Sequence, residues 1–508
     1  MLDATPLLRL YAGWRSKHLD AEDPRTAQEA ELMKLVRKAA VTEFGRRHDF
    51  ARIGTVAEFQ KRVPLRRYEA FWQDYWQPRF PRLDDCTWPG RIPYFALTAG
   101  TTTGKTKHIP VSREMVAANR RATLDMLTHH LRNRPRSRIL AGRNFMLGGS
   151  TNLVAEAPGV LSGDLSGIAA NEIPRWARPR YYPPRELALL SDWEVKIERL
   201  ARLSLDADIR TISGTPSWLL IFFDRLAMLR PERPHRLASW YPNLELLVHG
   251  GVNFAPYRPR FEALLEGSRA ELREVYPASE GFIAVADKGP GEGLRMILDN
   301  GLFYEFVPVE ELEAAEPTRH WIANADPGVN YALVLSSCAG LWSYVLGDTV
   351  RLVSREPPRL LITGRTSYVL SAFGEHLIDE EIEGAVASAA KAADLTVGEY
   401  TVAPLFPEKP GELGRHLFIL EFAGTPQQGQ IERFAQTLDQ ALADTNEDYK
   451  AHRAGGFGMA APEVRAVPIG AFAAWMKARG QLGGQHKVPR IINDAELLRS
   501  LLASLLRQ

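Results

Sequence analysis

Positions 97–112 read LTAGTTTGKTKHIPVS, a run of donors behind an apolar stretch (Ile92, Tyr94, Phe95, Leu97) that few folds can accommodate. Thr98, Thr101, Thr102 and Thr103 bring hydroxyls, Lys105 and Lys107 bring ammonium groups, and Gly100 and Gly104 let backbone N–H groups come close to phosphate oxygens. The composition suits a nucleotide triphosphate. A P-loop needs four residues between its first glycine and its Gly-Lys-Ser/Thr, with a helix directly behind. Here only three separate Gly100 from Gly104, Lys105 and Thr106. Pro110 also confines Ile109 to β-like angles and would interrupt the first turns of a helix. Ser112 is the first residue able to cap one. The expectation is therefore strand, Thr/Gly loop, strand, then helix. A plain polar surface turn would use similar letters, so other segments must decide.

The chain has 508 residues, enough for at least two domains and several sheets. Its 63 Lys plus Arg against 61 Asp plus Glu leave a formal charge of +2. That balance argues against a dedicated nucleic-acid or polybasic membrane surface, and the arginines between 132 and 138 read as a solvated face. Cys86 and Cys338 are the two cysteines, which indicates neither a disulfide framework nor a cysteine metal cluster and suits a reducing compartment. The start carries Asp3 rather than a basic-then-apolar signal pattern, and the most apolar run, Trp218 to Phe223, is too short to span a bilayer. A cytoplasmic protein is expected.

Positions 7–47 have helical period, with Leu32, Leu35, Val36, Ala39 and Ala40 on one face. Tyr68, Phe71, Trp72, Tyr75 and Trp76 then recur at helical spacing, which favours core packing over a binding box. From 144 to 279 short apolar runs ending in glycine or small residues alternate with helical stretches, the mark of a layered α/β domain. After Lys288 the texture turns β-rich, with strands expected at 302–307, 330–336, 341–345, 349–353 and 360–364. Beyond a boundary at 364–371 comes a small unit reading helix, strand, strand, helix, strand, with two further helical stretches at the tail. The expected domains are 1–365 and 366–508.

Four more segments join the opening loop. In REVYPASEG, Tyr276 could stack on a base while Ser279 and Glu280 hold a magnesium ion near a phosphate, although Ser279 could equally be a helix cap. In SYVLGDTVRL, Asp348 at a tight Gly347 turn between strands could accept both hydroxyls of a ribose, and a plain Gly-Asp hairpin would give the same letters. LLITGRTSYVLSAFGEHL, with Gly364 and Arg365, reads by itself as a linker. In GGQHKVPR, Lys487 on a glycine-flanked loop could reach a phosphate as a compact charge, or be one surface lysine among many.

At these residues the sequence resembles the acyl acid amido synthetase family, which conjugates auxin, jasmonate and benzoates to amino acids in plants and sits within the adenylate-forming superfamily. It looks most like the bacterial members. TAGTTTGKTKHIPVS, YPASEG, YVLGD and QHKVPR carry the resemblance, supported by GTPSWL, HGGVNF and GRTSYVLSAFGEHL. They occur in order from about position 60 to about 490, so the likeness covers nearly the whole chain. It implies an α/β adenylate-forming fold: a large multi-sheet N-terminal domain with a β-rich subdomain, and a small mobile α/β C-terminal domain that closes over the active site. It further implies that Thr98, Gly100, Thr101, Thr102 and Thr103 hold ATP phosphates, and that Tyr276, Ser279 and Glu280 contact adenosine monophosphate and Mg2+. Asp348 would hold the ribose, Gly250 and Gly251 would admit the adenine plane, and Lys105 and Lys487 would neutralise phosphate charge. Arg365 and Ser367 would form the hinge, where many superfamily members have aspartate in place of Ser367.

The implied reaction is ATP-dependent activation of a small carboxylic acid to an acyl adenylate, then transfer to an amine such as an amino acid, with pyrophosphate and AMP released. Trp218, Leu219 and Phe222 are candidates for the acyl pocket wall, with core packing at least as good an account of them, and His249 is a candidate base. Transfer to coenzyme A or a carrier thiol, a P-loop-like NTPase and a silent nucleotide-binding scaffold remain as alternatives.

Overall fold

The computed structural model describes residues 2–98, 107–148, 152–188, 190, 193–251, 254, 257–366, 370, 377–406, 413–446, 449–450, 453, 459–481 and 487–506. The chain divides into two compact units, Met1–Val252 with Phe261–Ile362, and Asn253–Arg260 with Thr363–Gln508. Among the described residues no helix is long and apolar enough to cross a membrane.

The first unit opens with helices Thr5–Ala21 and Pro24–Ala39, the second started by Asp23, whose carboxylate accepts from the Thr26 N–H, and by proline at the first position. Leu32, Leu35, Val36 and Ala39 are buried, as their spacing requires. The aromatic stretch forms a short helix, Tyr68–Phe71, that loosens into one π-helical turn, Trp72–Trp76. Phe71, Tyr75 and Trp76 are fully buried; Phe71 and Tyr75 pack with Phe44 and Trp76 stacks on Phe71, so this stretch is core.

Strand Tyr94–Thr98 pairs antiparallel with Lys107–Val111, in register from Tyr94 opposite Val111 to Thr98 opposite Lys107. The Gly-Lys-Thr letters are thus followed by a strand, and the P-loop reading fails. A helix begins only at Arg113, where the Ser112 hydroxyl accepts from the Met115 N–H at 3.0 Å and donates to the Cys338 carbonyl at 2.6 Å.

A 12-stranded sheet organises the rest of this unit. At one side Tyr181–Tyr182, Arg143–Leu147, Ile209–Gly214, Leu246–Gly250 and Glu271–Ala278 run parallel. At Glu271–Ala278 the sheet changes sense. Gly281–Val285 pairs with it antiparallel, and Leu294–Met296, Pro358–Arg365, Tyr344–Arg355, Asn330–Ser337, Leu302–Pro308 and His320–Trp321 follow. Leu302–Pro308 is buried along its whole length, including Glu305. A carboxylate there must be paired. Arg319 grips it at 3.0 and 2.9 Å, while Gln60 and Ser343 each donate to it at 3.0 Å.

The region around Gly347 corrects the expectation of two strands separated by a tight turn. Tyr344–Arg355 is a single strand carrying a bulge. Ala332 lies opposite Thr349 and Val334 opposite Val345, so Leu346, Gly347 and Asp348 face Leu333 alone. Gly347 absorbs the surplus with φ of 93°, and Asp348 is re-aimed.

In the second unit, Val397–Leu405, Arg415–Phe422 and Glu463–Val467 form a three-stranded sheet with helices on both faces. Tyr400, Val402, Phe418, Leu420 and Phe422 pack under helices Asp379–Ala393 and Gln428–Thr445. Ala403, Leu417 and Ile419 alternate with them and meet Ala471–Ala478 and Ala495–Leu505.

Candidate active site

Parallel strands joined by helices leave a crevice beyond their carboxyl ends, the usual ligand-binding edge of such sheets. Here that edge is built of small residues: Gly148 after Arg143–Leu147, Gly214, Gly250 with Gly251, and Ala278. Gly250 has a packing reason for lacking a side chain, since a Cβ there would lie 2.3 Å from the Val275 carbonyl oxygen of the neighbouring strand. Gly251 turns away with φ of 82°.

At the same edge Glu271–Ala278 and Gly281–Val285 are joined by a two-residue tip, Ser279-Glu280. The tip is a hairpin turn, so Ser279 caps no helix. Glu280 is only 8% exposed, and the buried Tyr344 hydroxyl is hydrogen-bonded to its carboxylate. Burial, then the Glu280 charge, raises the Tyr344 phenol well above its ordinary pKa and keeps it a neutral donor. Likewise between strand Glu271–Ala278 and strand Tyr344–Arg355, the Tyr276 hydroxyl donates to the Asp348 carboxylate at 2.5 Å. Tyr276 with Asp348, and Glu280 with Tyr344, therefore form two pairs that join strand Glu271–Ala278 and its tip to strand Tyr344–Arg355, which is not its neighbour in the sheet.

Tyr344 extends the arrangement to the Thr/Gly hairpin. Its neighbour in electrostatic range is Tyr68, whose hydroxyl accepts from the His108 N–H at 2.9 Å. The Lys107 ammonium lies 5.3 Å from the Tyr68 ring centre, and Lys107 sits opposite Thr98 at the mouth of the hairpin. Tyr344 is held from behind by Ser343, which adopts φ of 43° in the left-handed region. That conformation is over-determined: the Ser343 N–H donates to Ser336 Oγ at 2.9 Å, its carbonyl accepts from the Arg66 N–H at 3.0 Å, and its hydroxyl joins Glu305 and Arg319.

Among the remaining candidates, Leu219 and Phe222 on helix Pro216–Leu229 are fully buried, with the Phe222 ring edge-on to Phe145 at 4.9 Å. They carry core packing, while Trp218 is half-buried. His249 is buried in its strand. Arg365 ends strand Pro358–Arg365. Gly100, Thr101, Thr102, Thr103, Lys105 and Ser367 lie outside the described residues. In the second unit Lys487 is exposed. Three residues on, Arg490 donates to Tyr257 Oη and the Tyr400 carbonyl, each at 3.0 Å, pairs with Glu399, and stacks 4.5 Å from the Tyr400 ring. The end of the QHKVPR segment is thus pinned to strand Val397–Leu405, where Val402 and Ile491 form a bridge. Sequence reasoning named Tyr344 beside Asp348 without giving it a role, read Tyr68 as core packing, and passed over Arg490. The signals were present: Tyr344 opens YVLGD, and Arg490 closes QHKVPR.

The description of the GH3 family N-terminal domain matches residues 16–152, that of its central domain residues 295–365, and that of its C-terminal domain residues 380–496. Probable indole-3-acetic acid-amido synthetase GH3.1 of Arabidopsis thaliana is 26% identical over 51% of this chain and 45% of its own length. Jasmonoyl–L-amino acid synthetase JAR4 of Nicotiana attenuata is 26% identical over 52% of this chain and 48% of its own. The chain spans about half the length of the curated relatives it matches. Among solved structures, AtGH3.15 acyl acid amido synthetase in complex with 2,4-DB matches with a TM-score of 0.81 at 18% identity, over 97% of this chain and 96% of that one. A 2-hydroxyisobutyryl-CoA ligase in its postadenylation state matches at 0.60 and 15% identity, over 96% and 92%. Both share the adenylate-forming fold.

Proposed function

We propose that this chain, which belongs to the GH3 family, is an ATP-dependent ligase that activates a small carboxylic acid as its acyl adenylate and transfers the acyl group to an amine, an amino acid in first place. The observation that carries the reading is the pairing of Tyr276 with Asp348 and of Glu280 with Tyr344, which joins the hairpin where the sheet changes from parallel to antiparallel to strand Tyr344–Arg355. The relatives named as amido synthetases support the choice of acceptor.

In the first half-reaction a substrate carboxylate oxygen attacks the α-phosphorus of ATP, a P–O bond to pyrophosphate breaks, and acyl adenylate forms. Little covalent work falls to the protein; it positions and neutralises. Asp348 holds the ribose hydroxyls, Tyr276 lies against the base, and Thr98 with Thr101 to Thr103 donates to phosphate oxygens while Gly100 lets the backbone approach. Lys105 and Lys487 offset charge as pyrophosphate leaves. The Glu280 carboxylate, buried beside a neutral hydroxyl, is the hard oxygen ligand that magnesium favours, so the residues present fit this ion. When bound, magnesium would neutralise charge on the phosphates. In the second half-reaction the amine nitrogen forms a bond to the acyl carbon, AMP leaves, and the nitrogen loses a proton.

Residues 1–365 bind ATP and acid in this proposal. Residues 366–508 reorient between the steps, with Arg365 and Ser367 as hinge, and keep water from the adenylate. Trp218 contributes to the acyl pocket. The test is pyrophosphate release across aryl, indolyl and aliphatic acids, then mass spectrometry of products made with mixed amino acids. Acid-dependent pyrophosphate release with an amide product is expected. Orthophosphate release would overturn the reading, and a thioester formed with coenzyme A in place of an amide would overturn the acceptor.

A further inference from the structure

A second cavity, of about 290 Å³, lies in the first unit and is lined by Asp20, His129, Arg132, Asp287, Lys288, Arg295 and Arg359, with Asn133 and Pro357. It sits at the far end of the strand that starts beside Glu280. At about 3.3 Å per residue, Asp287 is roughly 20 Å from Glu280 along the chain's direction, so the cavity is separate from the site described above. Its size is at the small end for ligand pockets.

The charges do not balance. Four cations line it against two carboxylates, Asp20 and Asp287. Asp20 is taken by Arg132 at 2.8 Å, Asp287 is gripped by Arg359 at 2.9 and 2.6 Å, and Lys288 at the rim reaches Glu292 outside the lining at 3.4 Å. Arg295, 8% exposed, is left with a hydrogen bond to the Leu19 carbonyl and stands 4.0 Å from Asp287. A guanidinium removed from water without a close carboxylate is costly unless an anion completes it. His129 gives a second, independent sign. Its imidazole is 5% exposed and lines the cavity within electrostatic range of Asp287. Burial pushes its pKa down to about 3, so it is a neutral ring able to donate one hydrogen bond.

We propose that this cavity binds a phosphate group, either free or as a small phosphomonoester, held by Arg295 and Arg359 at its base, by His129 from one side and by Arg132 and Lys288 at its rim. A phosphate monoester carries about −1.5 to −2 at pH 7 and would complete Arg295, which lacks a close carboxylate, while sharing the exposed cations at the rim. Donors converging from several elements suit a tetrahedral group better than a flat carboxylate, which is gripped from one edge.

In the test, inorganic phosphate and glycerol phosphate are each titrated into the full chain at fixed ionic strength, with adenosine monophosphate saturating the adenylate site. Heat of binding and melting temperature are the readouts. Saturable binding that weakens at least about tenfold in Arg295→Gln supports the site. Because Arg295 is buried, the rim variant Arg132→Ala with Lys288→Ala, whose side chains are 40% and 51% exposed, repeats the test without endangering the fold. Binding of phosphate alone assigns the free anion, and binding of both ligands assigns a phosphomonoester. No saturable binding by the native protein, or binding untouched by the rim variant, overturns the proposal.

Discussion

Asp348 and Tyr276 offer the most direct test of the proposed nucleotide site, because stability and ATP use should respond differently to losing them. Tyr276 is buried and gives its hydroxyl hydrogen to Asp348 at 2.5 Å, a charge-assisted bond. Asp348→Ala removes that acceptor, and a buried donor deprived of a charged partner costs about 1–3 kcal/mol. Tyr276→Phe in the Asp348→Ala background should then cost little more, because the bond is already gone. The two single losses should exceed the double loss by about 1 kcal/mol or more in a urea-denaturation cycle. Activity should not show that relief. If Asp348 accepts both ribose hydroxyls, at about 1.5–3 kcal/mol for each bond to a charged group, its loss removes about 3–6 kcal/mol of binding to ATP. That corresponds to roughly 100-fold to 10,000-fold in kcat/KM for ATP, read by acid-dependent pyrophosphate release. Tyr276→Phe keeps the carboxylate and should lose roughly tenfold. Equal losses of ATP use in the two single variants would refute the ribose role and leave Asp348 as a support for Tyr276. Strictly additive stability losses would refute the hydrogen bond itself.

Ser112→Ala should destabilise the first unit by about 1–2 kcal/mol in urea denaturation, since the hydroxyl both caps the helix at Met115 and donates to the Cys338 carbonyl. Burial, then the Asp299 charge, raises the Glu22 carboxyl from its ordinary range to about 7. The folded state therefore holds that proton where the unfolded chain has released it, and stability falls as pH climbs from about 4.5 to 7. Allowing for its partial exposure, Glu22→Gln should gain about 2 kcal/mol at pH 8 and almost nothing at pH 4, by denaturation at both values. Cys86 and Cys338 are free and buried, with burial pushing each thiol up to about 12, so an aromatic disulfide reagent should label neither until the protein is unfolded.

The Thr/Gly hairpin was legible because its determinants are local. Pro110 forbids a helix there, Ser112 starts one, and the apolar run before Thr98 supplies the partner strand. The second unit was legible for a related reason: its strands alternate faces cleanly between two helical layers. The bulge at Gly347 could not be read. Three residues face one only because Ala332 and Val334, on the preceding strand, fix the register on both sides, and a Gly-Asp turn would look identical. The grouping of Asn253–Arg260 with the second unit was equally hidden, since it joins segments such as Tyr257 and Arg490 that lie more than two hundred positions apart.

The buried cluster behind the site bears on why such an arrangement is kept. Glu305 and Arg319 are both removed from water, and an ion pair of this kind returns little net stability once desolvation is counted. Apolar residues of the same volume could serve the core as well. What they could not do is hold Ser343 at a positive φ, a conformation costing roughly 1–2 kcal/mol for a residue with a side chain. Ser343 ties the cluster to Tyr344, Tyr344 is bonded to Glu280, and Glu280 sits at the two-residue tip between Glu271–Ala278 and Gly281–Val285. The free energy spent on a buried charge thus appears as the placement of a carboxylate at the sheet edge, through a chain of bonds in which each member restricts the next.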